Sequence, residues 1–220
     1  METMLKTGTT TVGIVCKDGI VLAADRRATA GSMIVDKRAE KVHLLGDNFA
    51  CTIAGSVSEA QLLIKLIKAE LKLKEIRTRK GVTAKEGANL LGGLLYSSIR
   101  RMSMIPAVAH FLLGAQDNSG TYLYDLFPDG SVTKVPDYVS SGSGSVFAYG
   151  VLETQYKEGM SVAEGIEDGM TIQEGIALAT KCVNAALQRD SASGNGIEIA
   201  VVKPGKMAEK VEVRELNYSL

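Results

Sequence analysis

The hydrophobic period of this 220-residue chain switches in blocks. The blocks run as strands, a pair of helices, strands, a second pair of helices and a last strand, and this order constrains the fold more than anything else in the sequence. Residues 9–16 are rich in β-branched side chains, Lys17-Asp18-Gly19 reads as a turn and residues 20–25 are again apolar, which predicts a β-hairpin. Residues 41–45 and 49–55, joined by Gly46-Asp47-Asn48, predict a second hairpin. The period then lengthens. Ser56 with Glu59 has the spacing of a capping box and opens a predicted helix to Thr78, with Leu63, Leu66, Ile67 and Leu71 on its apolar stripe. Thr83 with Glu86 opens another, with Leu90, Leu91, Leu94, Leu95 and Ile99 at helical spacing. Two adjacent amphipathic helices of this kind are expected to pack as an antiparallel pair.

Strands return at 107–115, 121–127 and 131–139, separated by the turn signals Asp117-Asn118-Ser119-Gly120 and Pro128-Asp129-Gly130. Beyond a small-residue loop at 142–145, helices are predicted to about residue 156 and over 171–187. A buried strand follows over 196–202, then a short alternating run at 211–213. Helices that come in pairs disfavour a doubly wound parallel sheet, in which they alternate singly with strands. The expected fold class is α+β: a four-layer αββα sandwich of two mostly antiparallel sheets between two helix pairs, in one domain. One short repeat interrupts the pattern. Residues 160–166 resemble residues 170–176, each copy with capping-box spacing, and this reads as a local duplication that extends a surface loop.

The balance of 25 basic and 25 acidic residues argues against a dedicated nucleic-acid binder. Cys16, Cys51 and Cys182 are widely spaced with no CxxC pair, so neither a metal site nor a disulfide framework is indicated, and reduced thiols of a cytoplasmic protein are expected. The first eight residues hold no apolar run of signal-peptide length, and no stretch approaches the roughly 20 apolar residues of a membrane helix. The expectation is a soluble chain with no membrane or nucleic-acid partner and no cofactor.

Chemistry concentrates at Gly8-Thr9. A lone threonine hydroxyl is a poor nucleophile because it needs a base. A cut between Gly8 and Thr9 frees an α-amine on the same residue, and that amine can act as the base. A free α-amine titrates near pH 7.7–8.0, and a neighbouring ammonium pushes it lower, because like charges disfavour a second protonation. Glycine before the cut permits the tight backbone geometry that attack on the preceding carbonyl requires. The loop Gly142-Ser143-Gly144 also follows a strand-like run and precedes a helix, as in a dinucleotide-binding turn, but the third glycine is missing. His43 and His110 lie in apolar surroundings and read as packed histidines.

The run Gly8-Thr9-Thr10-Thr11-Val12-Gly13, taken with Ala24-Asp25-Arg26-Arg27, Lys41, Ala54-Gly55, Ser141-Gly142-Ser143-Gly144-Ser145 and Arg189-Asp190-Ser191-Ala192-Ser193-Gly194, resembles the catalytic β-subunits of archaeal-type proteasomes, which are N-terminal nucleophile hydrolases. The resemblance spans residues 8–202. It implies that residues 1–8 are a propeptide removed by self-cleavage, and that residues 9–220 form the hydrolase domain. Thr9 would be the nucleophile, Lys41 a buried cation paired with Asp25, and Gly55 the oxyanion donor. Ser143, Asp190 and Ser193 would hold the amine and the threonine hydroxyl.

The family's specificity positions correspond to Ala28, Ala39, Ile53, Val57 and Gln61. None is acidic, so cleavage after large apolar residues is expected. The resemblance also implies a threonine endopeptidase of the cytoplasm that degrades unfolded polypeptides. Its partners would be a heptameric ring of β-subunits, α-subunit rings and, through those, a regulatory ATPase. The alternative is a catalytically silent structural subunit of the same ring; the joint presence of Thr9, Asp25 and Lys41 favours the active form. The chain departs from the family in the duplicated segment over 160–176, which lies between Ser143 and Asp190.

Overall fold

The computed structural model describes residues 8–103, 108–156 and 169–211. Most of the expected propeptide and the first copy of the short repeat therefore lie outside the described residues.

Two five-stranded sheets make the centre. In one, β1 (Thr11–Cys16) and β2 (Gly19–Asp25) form the first predicted hairpin, flanked by β10 (Tyr138–Ser141) on one side and by β11 (Ile197–Val202) and β12 (Glu209–Lys210) on the other. In the other, β5 (Val42–Leu44), β6 (Phe49–Gly55), β7 (Ala109–Asp117), β8 (Gly120–Leu126) and β9 (Val132–Val135) run side by side. Neighbouring strands are antiparallel throughout, from Thr11 opposite Ala24 to Leu126 opposite Val132. Alternation assigns each strand's two faces to different layers. In β2, Val21 and Ala23 meet one helix pair, while Ile20, Leu22 and Ala24 meet the opposite sheet.

The helices α1 (Val57–Thr78) and α2 (Ala84–Ile99) cover the second sheet through Leu63, Ile67, Leu91 and Leu95, packed on Phe111, Leu113 and Leu126. On the first sheet, α3 (Ser145–Gln155) and α4 (Ile172–Leu187) pack Ala148, Leu152, Leu178 and Val183 on Val12, Ile14 and Ile199. The four-layer αββα sandwich is thus realised, with one apolar layer between the sheets and one under each helix pair.

Three local expectations are corrected. The strand expected over 131–139 is two strands at the edges of different sheets. Pro136 separates β9 from β10, because proline offers no backbone donor and fixes φ, so the ladder stops and the chain crosses to the other sheet. Ser56 precedes α1 without a side-chain cap; its hydroxyl meets Ser58, and Glu59 is drawn away to the Ser98 hydroxyl on α2. Thr83 does form the full capping box with Glu86, as does Thr171 with Glu174 in the second copy of the repeat. The hairpin of β3 (Ala28–Ala30) and β4 (Met33–Asp36) was not expected, since its short strands carry no long apolar alternation.

Helix α1 carries apolar residues on two faces. Ala60, Leu63, Ile64, Ile67 and Leu71 are buried, while Leu62, Leu73 and Ile76 are exposed. The cysteines are all buried and free, and burial pushes each thiol up to about 12, so none is a ready nucleophile. Among the described residues no helix is long and apolar enough to cross a membrane, and no group of side chains has the make-up of a metal site.

Candidate active site

The candidate residues come from six segments that the sandwich gathers at one edge. Thr9 and Thr10 lead into β1, Asp25 ends β2, Lys41 precedes β5, Gly55 ends β6, and Ser143 lies in the turn between β10 and α3. Asp190 and Ser193 lie between α4 and β11.

Asp25 is the hub. It is fully buried, and its two oxygens divide their work. Oδ1 accepts from the Lys41 ammonium at 2.8 Å and the Thr10 N–H at 3.0 Å. Oδ2 accepts from the N–H of Arg27 at 3.0 Å and of Gly194 at 2.9 Å. One carboxylate therefore ties the start of β1, the end of β2, the Lys41 segment and the 190–196 loop into one cluster. Burial pushes the Lys41 ammonium below the usual lysine range, and the Asp25 charge and hydrogen bond act in the opposite direction.

Lys41 is held from its backbone as well. Glu198 Oε2 accepts from the N–H of Lys41 at 2.8 Å and of Val42 at 3.1 Å. Glu198 Oε1 lies 3.7 Å from the Arg26 guanidinium. Sequence reasoning passed over Glu198, yet a signal existed: it is the sole charged residue in the β11 run Ile-Glu-Ile-Ala-Val-Val, which is buried along its length. A carboxylate retained there has partners to satisfy.

A second chain of hydrogen bonds approaches Thr9 from the other side. The Ser143 hydroxyl accepts from the Thr9 N–H at 3.2 Å and donates to Asp190 Oδ2 at 2.6 Å. Ser193 also donates to Asp190 Oδ2, at 2.7 Å. Its one proton is thereby used, so in its 2.7 Å contact with Thr10 Oγ1 the threonine is the donor. Gly144 N–H reaches the Thr9 carbonyl at 3.3 Å.

Between these two arms sits the Gly8–Thr9 peptide. The Thr9 hydroxyl donates to the Gly8 carbonyl at 2.6 Å, and the Lys41 ammonium reaches the same oxygen at 3.4 Å. Thr9 is 5 % exposed and Lys41 4 %, so both act where water screens little.

A cavity of about 360 Å³ opens beside this junction. Ala28, Ala39, Ile53, Val57 and Gln61 all line it, together with Gly8, Thr9, Lys41 and Gly55. So do Asp36, Glu40 and His43, so the wall is not free of acidic groups as the five sequence positions suggested. Lys210 in β12 pairs with Glu40 and offsets its charge. Gly55 takes φ +99, and a Cβ there would lie 2.3 Å from the Val108 carbonyl, so only glycine fits at this corner of the cavity.

The histidines divide. His43 is half-buried, and burial lowers its pKa against the opposing pull of Glu40. His110 is not surrounded by apolar groups alone: Nδ1 meets the Ser141 hydroxyl at 2.6 Å and Nε2 meets Asp125 at 2.5 Å, a link from β7 to both β8 and β10.

Residues 5–202 match the proteasome subunit family. The chain is similar to the proteasome subunit beta of Methanocella paludicola, 44% identical with 91% of this chain and 90% of that one covered. It is 42% identical to the proteasome subunit beta of Methanobrevibacter ruminantium over 94% of this chain and 92% of that one. With that of Methanocaldococcus vulcanius it shares 40% identity over 98% and 91%. A match over most of the length shows that the chain belongs to the proteasome subunit family and is related to its archaeal β-subunits.

Proposed function

We propose that this chain is a self-processing threonine endopeptidase of a proteasome core, with Thr9 as nucleophile. The observation that carries the reading is the convergence on one peptide bond: the Thr9 hydroxyl and the Lys41 ammonium both reach the Gly8 carbonyl oxygen, and the same ammonium is bound to a fully buried Asp25.

In the uncut chain Thr9 Oγ attacks the Gly8 carbonyl carbon. Lys41 stabilises the negative charge that grows on the carbonyl oxygen. The C–N bond breaks, the threonine nitrogen takes the proton lost by the hydroxyl, and Gly8 is left as an ester on Oγ. Water hydrolyses the ester, releasing residues 1–8 with a free carboxylate and restoring the hydroxyl. The amine so created keeps the Ser143 contact and sits beside the Lys41 charge, which lowers its proton affinity and makes it a base at neutral pH.

On a polypeptide substrate the amine takes the proton from Oγ, Oγ attacks the scissile carbonyl, and the Gly55 N–H donates to the oxyanion. The amine then protonates the leaving nitrogen, and water frees the acyl group. Residues 9–220 are the working domain. Asp25 and Lys41 set the electrostatics; Ser143, Asp190 and Ser193 orient the amine. Ala28, Ala39, Ile53, Val57 and Gln61 receive the side chain before the cut, with large apolar groups preferred.

Assembly is part of the same reading. Met33, Ile34 and Val35 on β4 and Leu62, Leu73 and Ile76 on α1 leave apolar side chains exposed, as expected of a subunit that packs into seven-membered β-rings against α-subunits in the cytoplasm. A regulatory ATPase would act through the α-rings, delivering unfolded chains.

The test is the intact mass of the purified chain with time, followed by hydrolysis of matched fluorogenic peptides. Loss of residues 1–8 in the wild type but not in Thr9→Ala, with faster cleavage after leucine or tyrosine than after arginine, is expected. Loss of the same residues by Thr9→Ala without any other protease overturns self-cleavage. A processed chain that hydrolyses nothing in the assembled particle leaves a structural subunit. Equal or faster cleavage after arginine overturns the apolar preference.

A further inference from the structure

The catalytic arrangement accounts for the carbonyl of Gly8 but not for its N–H. That group is buried, and its partner is the Thr29 hydroxyl, which accepts from it at 3.3 Å. Thr29 is itself 6 % exposed and lies in β3, where the register against β4 shifts between Ala28 and Thr29. An irregularity of this kind turns a side chain away from the direction that the regular ladder would give it. Against Gly8 also stands Ala192, whose Cβ would lie 1.8 Å from a Cβ added to the glycine. Gly8 is therefore fixed at its N–H by Thr29, at its carbonyl by Thr9 and Lys41, and on one face by Ala192.

We infer that Thr29 is a positioning residue for self-processing, acting through the Gly8 N–H to set the angle at which the Gly8 carbonyl faces Thr9 Oγ. This rests on the proposed self-cleavage. Attack on a carbonyl by the hydroxyl of the very next residue needs a sharply bent peptide, and a bent peptide stays bent only if both of its ends are held. Lys41 and Thr9 hold one end. The Thr29 hydroxyl holds the other, and it does so only while Gly8 is still joined to the chain. Once residues 1–8 leave, the contacts that orient the new amine run through Ser143 and Asp190, and Thr29 has no part in them. Thr29 also lines the cavity beside Thr9, but its hydroxyl's bond to the Gly8 N–H exists only in the uncut chain, so the hydroxyl weighs more on the one intramolecular turnover than on the many that follow.

The experiment compares two rates in Thr29→Val, which keeps size and branching but cannot accept, and in Thr29→Ser, which keeps the acceptor. The first rate is loss of residues 1–8 from the full chain in the assembled particle, followed by intact mass. The second is peptide hydrolysis by the same variants produced with Thr9 already free. Leaving a buried N–H without its acceptor is expected to slow processing about tenfold in Thr29→Val, with recovery to within about twofold in Thr29→Ser. The loss in peptide hydrolysis should be at least several-fold smaller than the loss in processing. Wild-type processing by Thr29→Val, failure of Thr29→Ser to recover, or equal losses in the two rates each overturns the assignment. A wild-type chain that never sheds residues 1–8 overturns the self-cleavage reading and this inference with it. Normal wild-type processing with normal Thr29→Val processing overturns the inference alone.

Discussion

Replacing Asp25 by asparagine tests whether the buried ion pair organises the site. The substitution keeps the shape and removes the charge. Asp25 accepts four hydrogen bonds, two on each oxygen, and an amide has only one oxygen. Either Thr10 N–H and the Lys41 ammonium, or the N–H groups of Arg27 and Gly194, must then face an NH₂ donor. Two hydrogen bonds to a charged acceptor, at about 1.5–3 kcal/mol each, give a loss of about 3–6 kcal/mol. The range agrees with the about 3–5 kcal/mol expected when one partner of a buried pair is removed. A domain stable by about 5–15 kcal/mol would keep only part of its margin. With the largest opposing charge gone, burial drives the Lys41 pKa further down, opposed only by the weaker pull of Asp190 and Glu198. The assay is urea unfolding in a Thr9→Ala background, so that every molecule remains uncut, for Asp25→Asn, Lys41→Met and the double variant. Because Lys41→Met removes the cation that Asp25→Asn strands, the double variant should cost less than the sum of the singles by about 1–3 kcal/mol. Additive losses, or a cost below about 1 kcal/mol for Asp25→Asn, would refute the argument that this carboxylate ties the elements together.

Two further outcomes follow from local structure. Thr83→Ala should lower stability by about 1 kcal/mol, because its hydroxyl caps α2, whereas Ser56→Ala should cost only a few tenths, because Ser56 caps nothing; equal losses in chemical unfolding would refute the distinction. Burial holds the folded-state pKa of His43 below its ordinary 6.5, with Glu40 opposing and Lys210 and Lys68 assisting. A depressed pKa means that the unfolded chain binds the proton first, so this contribution is fully present above about pH 6.5 and is lost as pH falls through the folded value. The wild type should therefore lose thermal stability relative to His43→Gln as pH is lowered from 7 to 5, and a constant difference over that range would exclude it.

Much of the fold was legible because burial writes itself into the pattern. The runs at 11–16, 19–25 and 49–55 are covered on both faces, so they read as strands without polar interruption. The helices over 57–78 and 84–99 showed their period plainly. What escaped was set by partners remote in sequence. Glu59 fits a capping box by spacing, but Ser98, 39 residues away, takes its carboxylate. The run over 131–139 reads as one strand because its side chains suit either sheet, and only packing decides that Val132–Val135 joins one and Tyr138–Ser141 the other.

The candidate site shows the same division. Gly8-Thr9 was legible from its own chemistry, a hydroxyl beside a potential amine, whereas Asp25, Lys41, Gly55, Ser143, Asp190 and Ser193 were named through the resemblance of their short motifs to a known family. Their meeting was not displayed: Thr9 reaches Ser143 across 134 positions and Lys41 reaches Glu198 across 157. Glu198, Thr29 and the acidic wall of Asp36 and Glu40 acquire significance only where two sheets and a hairpin bring them to one edge. Local sequence determined which groups can react and which segments alternate or coil, because those are properties of neighbours along the chain. The tertiary structure decided which groups touch and how deeply they are buried, because hydrogen bonding and desolvation depend on distance in space.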